Sequence, residues 1–169
     1  MELPVSEAFA RGLLARVFGA AVLKSAVYTE IAQDRKAILQ AILVVVLASA
    51  AASTQDYGLG WVPMAWVAAV SVLQWLFWVL ITYEVGCDLL GGDATLGALM
   101  RTLGFARLPG ILMVLGPVVG GIHFVAHAWT LAAGVVAVRQ ACGFGTVRAV
   151  VTALCGIVPY WIIVFLVLN

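Results

Sequence analysis

The sequence predicts an all-α membrane protein: a polytopic bundle of five transmembrane helices, preceded by an amphipathic helix at the membrane interface. Three observations carry that expectation. The chain is 64% hydrophobic and 10% charged, whereas soluble domains average about 45–50% apolar and about 25% charged. Its apolar residues form continuous runs, not the alternation of a membrane strand. Its nine lysines and arginines fall where all of them can stay on one side of a bilayer. The mean hydropathy of +1.13 agrees with the first of these.

Residues 1–36 read as a cytoplasmic amphipathic segment. Leu3, Phe9, Leu13, Leu14, Val17, Phe18, Ala21 and Val22 recur at three- and four-residue spacings, while Glu7 and Arg11 pair on another face. A helix over residues 3–24 lying in the cytoplasmic interface fits that pattern. The segment lacks the basic start, short apolar run and cleavage site of a signal peptide. "YTEIAQDRKA", residues 28–37, turns the chain into the first span.

The first span is predicted at about residues 37–54 and the second at 61–83, with the glycine-containing turn "QDYGLG" between them. A last span is predicted at 147–168. Each is close to the roughly 20 residues that cross ~30 Å of hydrocarbon. The loop after the second span holds "GGD", with Asp93 as a helix N-cap, and then an amphipathic helix stopped by Pro109.

Residues 108–138 contain no acid, lysine or arginine. As one helix they would run about 46 Å, too long for a ~30 Å core at ordinary tilt. Charge favours two crossings. Arg11, Arg16, Lys24, Arg35 and Lys36 precede the first span, Arg101 and Arg107 follow the second, and Arg139 and Arg148 precede the last. With a double crossing every cation lies on one side. "GPVVGG", residues 116–121, supplies the turn. The third and fourth spans are therefore expected at 106–119 and 122–139, with the N-terminus cytoplasmic and the C-terminus outside.

A net charge of +1 and the lack of a basic domain give no expectation of nucleic-acid binding. His123 and His127 share one helix face at i,i+4 and are the only metal candidates. A catalytic zinc needs a third protein ligand and a structural one a fourth, so no metal or other cofactor is expected. Gln40, Gln74, Glu84 and Asp88 could line a polar path or make helix contacts. Cys87, Cys142 and Cys155 are scattered and form no Cys-x-x-Cys pair. Nucleophilic catalysis needs a base within reach of the nucleophile, and both histidines lie towards the opposite face from Cys87 and Cys142. No enzymatic activity is expected. "CGFGTVR", residues 142–148, lacks the ending of a phosphate-binding loop and reads as a turn, with Thr146 as N-cap of the last span.

Three stretches together resemble the Yip-one domain membrane proteins, in their bacterial branch. "VYTEIAQDRKAILQAILVVVLAS" carries Tyr28, Ile31, Asp34, Ala37 and Gln40–Ala41 at matching places. "LLGGDATLGALMRTLGFARLPGIL" carries Gly91–Gly92, Leu103–Gly104–Phe105 and Pro109. "VVAVRQACGFGTVRAVVTALCG" carries Arg139–Gln140–Ala141 and Thr146–Ala149. The resemblance covers about residues 25–168. It implies five spans, a cytoplasmic N-terminus and a bacterial inner membrane. The amphipathic N-terminus, the small-residue surfaces and the lack of a catalytic set lead to the expectation of a non-enzymatic protein that organises membrane, self-associates or serves as accessory subunit to other membrane proteins. The alternative is a small solute or ion transporter. The GTPase partners of eukaryotic members go with a long cytoplasmic N-terminal domain, so GTPase binding is not expected of this chain.

Overall fold

The computed structural model describes the backbone of residues 5–56 and 61–168, and the side chains of residues 12–52, 65, 66 and 68–158. Every described element is helical. In chain order they are α1 (Val5–Ala21), α2 (Ser25–Gln33), α3 (Ala37–Asp56), α4 (Trp61–Tyr83), a π-helical extension (Glu84–Leu89), α5 (Leu96–Ala106), a 3₁₀ segment (Leu108–Leu115), α6 (Ile122–Cys142) and α7 (Thr146–Leu168).

Three helical stretches among the described residues are long and apolar enough to cross a membrane: Ala68–Leu89, Leu96–Leu115 and Ile122–Cys142. A fourth joins them if α2 and α3, bent by 119°, are taken together. The sequence expectation for the Glu7–Arg11 pair lies outside the described side chains.

α3 shows how the bundle is built. Ala37, Ala41, Val44, Val45, Ala48 and Ala51 are buried, while Leu39, Ile42, Leu43, Val46 and Leu47 point outward. Small residues face in and large ones face out, the inverse of a soluble helix. That arrangement suits lipid, where association comes from close packing. Gly104 of α5 sits so near α3 that an added Cβ would lie 2.7 Å from the Ala41 Cβ. Trp78 of α4 fits between Gly134 of α6 and Gly156 of α7. Trp75, Tyr28, Phe105, Ile31, Leu99 and Leu103 fill the centre.

Two corrections concern the cytoplasmic pieces. Residues 96–106 are not an amphipathic surface helix. α5 buries Leu99 and Arg101 through Ala106 against α3, α4 and α6, and leads into the 3₁₀ segment. Where the sequence predicts a third span at 106–119, the stretch long and apolar enough to cross is Leu96–Leu115, followed by the turn at 116–121. α5 ends at Ala106, ahead of Pro109, as the sequence predicts, and Pro109 then sits in the first turn of the 3₁₀ segment, where a missing N–H costs nothing. Thr95, not Asp93, caps α5, accepting from the Ala98 N–H. α7 begins at Thr146 itself, so Gly145 takes the cap position.

Residues 28–37 are likewise more than a turn. α2 buries Tyr28 and Ile31 and packs on α5 and α6. Arg101 explains why it is stable there. Its guanidinium donates to the Ile31 carbonyl at 3.1 Å and to that of Ala32. These are end carbonyls that a short helix leaves without partners. Arg16 ties the outer layer together, donating to Glu30 at 2.8 and 3.0 Å, to Asp34 at 2.6 Å and to Gln40 at 2.8 Å. α1 thus turns Leu13, Val17 and Arg16 inward and leaves Leu14, Phe18 and Val22 exposed.

Candidate ligand cavity

The α5–3₁₀ junction at Arg107 is a break near the middle of Leu96–Leu115. Sequence reasoning put Arg107 in a cytoplasmic loop. It instead lines a partly open cavity of about 390 Å³. α3 contributes Ser49 and α4 contributes Ser71 and Gln74, which share a face at i,i+3. α6 contributes His123, His127 and Thr130, on one face at i, i+4 and i+7. Gly110 and Met113 of the 3₁₀ segment close the wall beside Arg107.

The hydroxyls differ in their roles. Ser49 donates to the Val45 carbonyl of its own helix at 2.6 Å. Ser71 and Thr130 are both buried, yet neither hydroxyl bonds another residue among those described. The wall therefore holds a guanidinium, two imidazoles, an amide and three hydroxyls.

The structure sorts the sequence candidates. Gln74, His123 and His127 meet in the cavity. Gln40 does not; it is buried and accepts from Arg16, a helix contact between α1 and α3. Glu84 and Asp88 are exposed in the π-helical extension and take no part in the cavity wall. Gln140 accepts from the Thr29 hydroxyl at 3.1 Å and joins α6 to α2. Among the described residues no group of three His, Cys, Asp or Glu converges. Arg107 in the same wall as the two histidines opposes a divalent cation there.

Sequence reasoning missed three features. Arg107 gave no signal, because its charge matched the loop pattern. Arg101 was likewise hidden. Cys87 and Cys142, distant in sequence, come together where the π-helical extension meets the end of α6, and a Cβ added at Gly86 would lie 3.5 Å from Cys142 Sγ. The Cys87 thiol donates to the Ala94 carbonyl at 3.4 Å. "CGFGTVR" is a turn in which Gly143 adopts a left-handed φ of 69° and ends α6. It borders a groove of about 500 Å³ with Asp93 on its rim.

Comparison of the chain with protein-family models, with curated proteins and with solved structures yields no match.

Proposed function

We propose that the protein is an integral membrane protein that binds a small polar solute in the cavity and passes it across the bilayer without transforming it. α3, α4, the Leu96–Leu115 pair, α6 and α7 make five crossings. Residues 1–36 are cytoplasmic, and the turn at 116–121 and the carboxyl end face outside, in a bacterial inner membrane. The Yip-like residue patterns fit the same plan.

The supporting observation is the polar cavity beside the break at Arg107. Ionisable and polar groups at membrane depth are costly, and those that occur mark solute paths. Irregular backbone at that depth is tolerated where protein buries it or where it lines a cavity. The support is that Arg107 stands at such a break and that Gly110 and Met113 of the 3₁₀ segment line the cavity wall. An accessory-subunit role built on small-residue surfaces has less support. Gly104, Gly110, Gly134 and Gly156 face neighbouring helices of this same chain. A hydrolytic role built on a thiol and a histidine has less support: His127, the nearer histidine, and Cys142 are about 22 Å apart along α6. The exposed Leu14, Phe18 and Val22 suit α1 to lie against lipid.

The test is flux. Liposomes holding the purified chain should pass glycerol, acetate or phosphate faster than empty liposomes, and Gln74→Leu should slow that passage severalfold. Wild-type flux equal to that of empty liposomes for all three solutes contradicts the proposal.

A further inference from the structure

Resting on the solute-cavity reading, we infer that the path from the cavity towards the cytoplasm follows one face of α4 and that Trp78 is its gate. Three buried polar atoms mark the path. Trp75 Nε1, Trp78 Nε1 and Thr82 Oγ1 have no hydrogen-bond partner among the described residues, and these residues are only 2%, 4% and 0% exposed. Such groups cost stability unless a partner reaches them, and lipid offers none. All three share a face of α4 with Ser71, lying at i+4, i+7 and i+11 from it. Ser71 lines the cavity. The row therefore starts at the cavity and runs about 16 Å along the helix. An indole N–H only donates. What satisfies the row is an acceptor: the oxygen of water or of a small oxygen-bearing solute.

Trp78 and Thr82 meet at one point on α7. A Cβ at Gly156 would lie 2.8 Å from Trp78 Nε1 and 2.5 Å from Thr82 Oγ1, so a single oxygen can bridge the two. One turn further on, the π-helical extension brings Gly86 against Thr152, Cys142 and Phe144. Cys142 and Phe144 line the groove of about 500 Å³. The row thus joins the cavity to the groove. It is shut at Trp78, whose ring fills the space between Gly134 and Gly156. The ring moves aside only if α6 or α7 does. α7 has a place to bend, because Pro159 brings no N–H to the Cys155 carbonyl, next to Gly156. A plain packing role accounts for the fit of the ring. It does not account for three unpartnered polar atoms aligned between two openings.

The test uses the full chain in liposomes, with its three cysteines changed to serine. Passage of glycerol, acetate and phosphate is measured for this parent, for Trp78→Ala and for Thr82→Val. Water access is read separately, as the rate at which a water-soluble methanethiosulfonate modifies Thr82→Cys with and without Trp78→Ala. The expected result has opposite signs. Trp78→Ala removes the plug and speeds passage severalfold, Thr82→Val removes a polar partner and slows it severalfold, and Trp78→Ala speeds modification of Thr82→Cys. Unchanged passage and unchanged modification overturn the path and gate but leave solute transport standing. Faster passage in both variants also overturns them, since the bundle has then merely loosened. Faster modification without faster passage does the same, because water then enters a seam the solute does not use. Faster passage without faster modification puts the leak elsewhere and again overturns the path. Parent passage equal to that of empty liposomes overturns the transport reading and the gate together. If Trp78→Ala does not fold, Thr82→Val carries the test, and a folded Thr82→Val with unchanged passage overturns the path.

Discussion

Replacing Gly134 or Gly156 by alanine puts a methyl group where the bundle leaves no room. A Cβ at Gly134 would lie 2.7 Å from Trp78 Cζ2 and 2.9 Å from Cη2. One at Gly156 would lie 2.5 Å from Trp78 Cδ1, 2.8 Å from its Nε1 and 2.5 Å from Thr82 Oγ1. Carbon atoms at rest are about 3.5–4.0 Å apart, so the ring must move by about 1 Å in either variant. The indole cannot yield freely, because its benzo edge meets Gly134 and its pyrrole edge meets Gly156. Retreat from one helix drives it into the other. Overpacking of this kind costs about 1–3 kcal/mol. A loss of about 2 kcal/mol lowers Tm by about 4–8 °C for a chain this size. The assay is thermal unfolding of the purified chain in one detergent, followed by circular dichroism. Gly145→Ala is the control, since a Cβ there meets nothing within 4 Å. In a Trp78→Phe background the further cost of Gly134→Ala should shrink, which a double-mutant cycle measures. Wild-type melting of both alanine variants would refute the close approach of α4 to α6 and α7.

Three other outcomes follow from the packing. Burial works to raise the Asp34 carboxyl, but bonds from Arg16 and the Lys36 amide, with their charges, outweigh it and hold Asp34 below its ordinary value. The latch between α1 and α2 is therefore fully present at neutral pH. It is lost as pH falls through that lowered value, and hydrogen exchange in residues 12–21 should speed up in acid; exchange that is constant with pH would contradict this. Arg101→Ala leaves the Ile31 and Ala32 carbonyls without their donor, at about 1–3 kcal/mol, and should speed exchange through α2 before any other helix. Mild oxidation by copper-phenanthroline should cross-link Cys87 to Cys142, which packs against Gly86 beside Cys87, and leave Cys155 free; peptide mass spectrometry reads the link, and its absence would argue against the meeting of the π-helical extension with the end of α6.

Much of the element order is legible from apolar run length. The stretches expected at 37–54, 61–83, 122–139 and 147–168 fall on helices at Ala37–Asp56, Trp61–Tyr83, Ile122–Cys142 and Thr146–Leu168. What the sequence hides is where polar side chains go once helices pack. Arg101 and Arg107 look alike in a charge count, yet one caps α2 and the other lines the cavity. Their charges made residues 96–106 read as an amphipathic surface helix, whereas the helix there is largely buried. α2 is only nine residues long, and its helicity depends on donors from α5, which no local pattern reports. Gln74 and the two histidines carried a signal because polar groups stand out in apolar runs. Ser71 and Thr130 carried none, since hydroxyls are ordinary in membrane helices.

The most direct measurement concerns α6, whose 21 residues extend about 31 Å, enough to cross the hydrocarbon. Gly120 and Gly145 lie in the turns at its two ends, and a Cβ at either meets nothing within 4 Å. With Cys87, Cys142 and Cys155 changed to serine, Gly120→Cys and Gly145→Cys are exposed separately to a membrane-impermeant maleimide on intact cells with a permeable outer layer. Labelling of Gly120→Cys from outside, and of Gly145→Cys only after lysis, is the expected result. Labelling of both from the same side contradicts the crossing and, with it, the placement of the cavity within the bilayer.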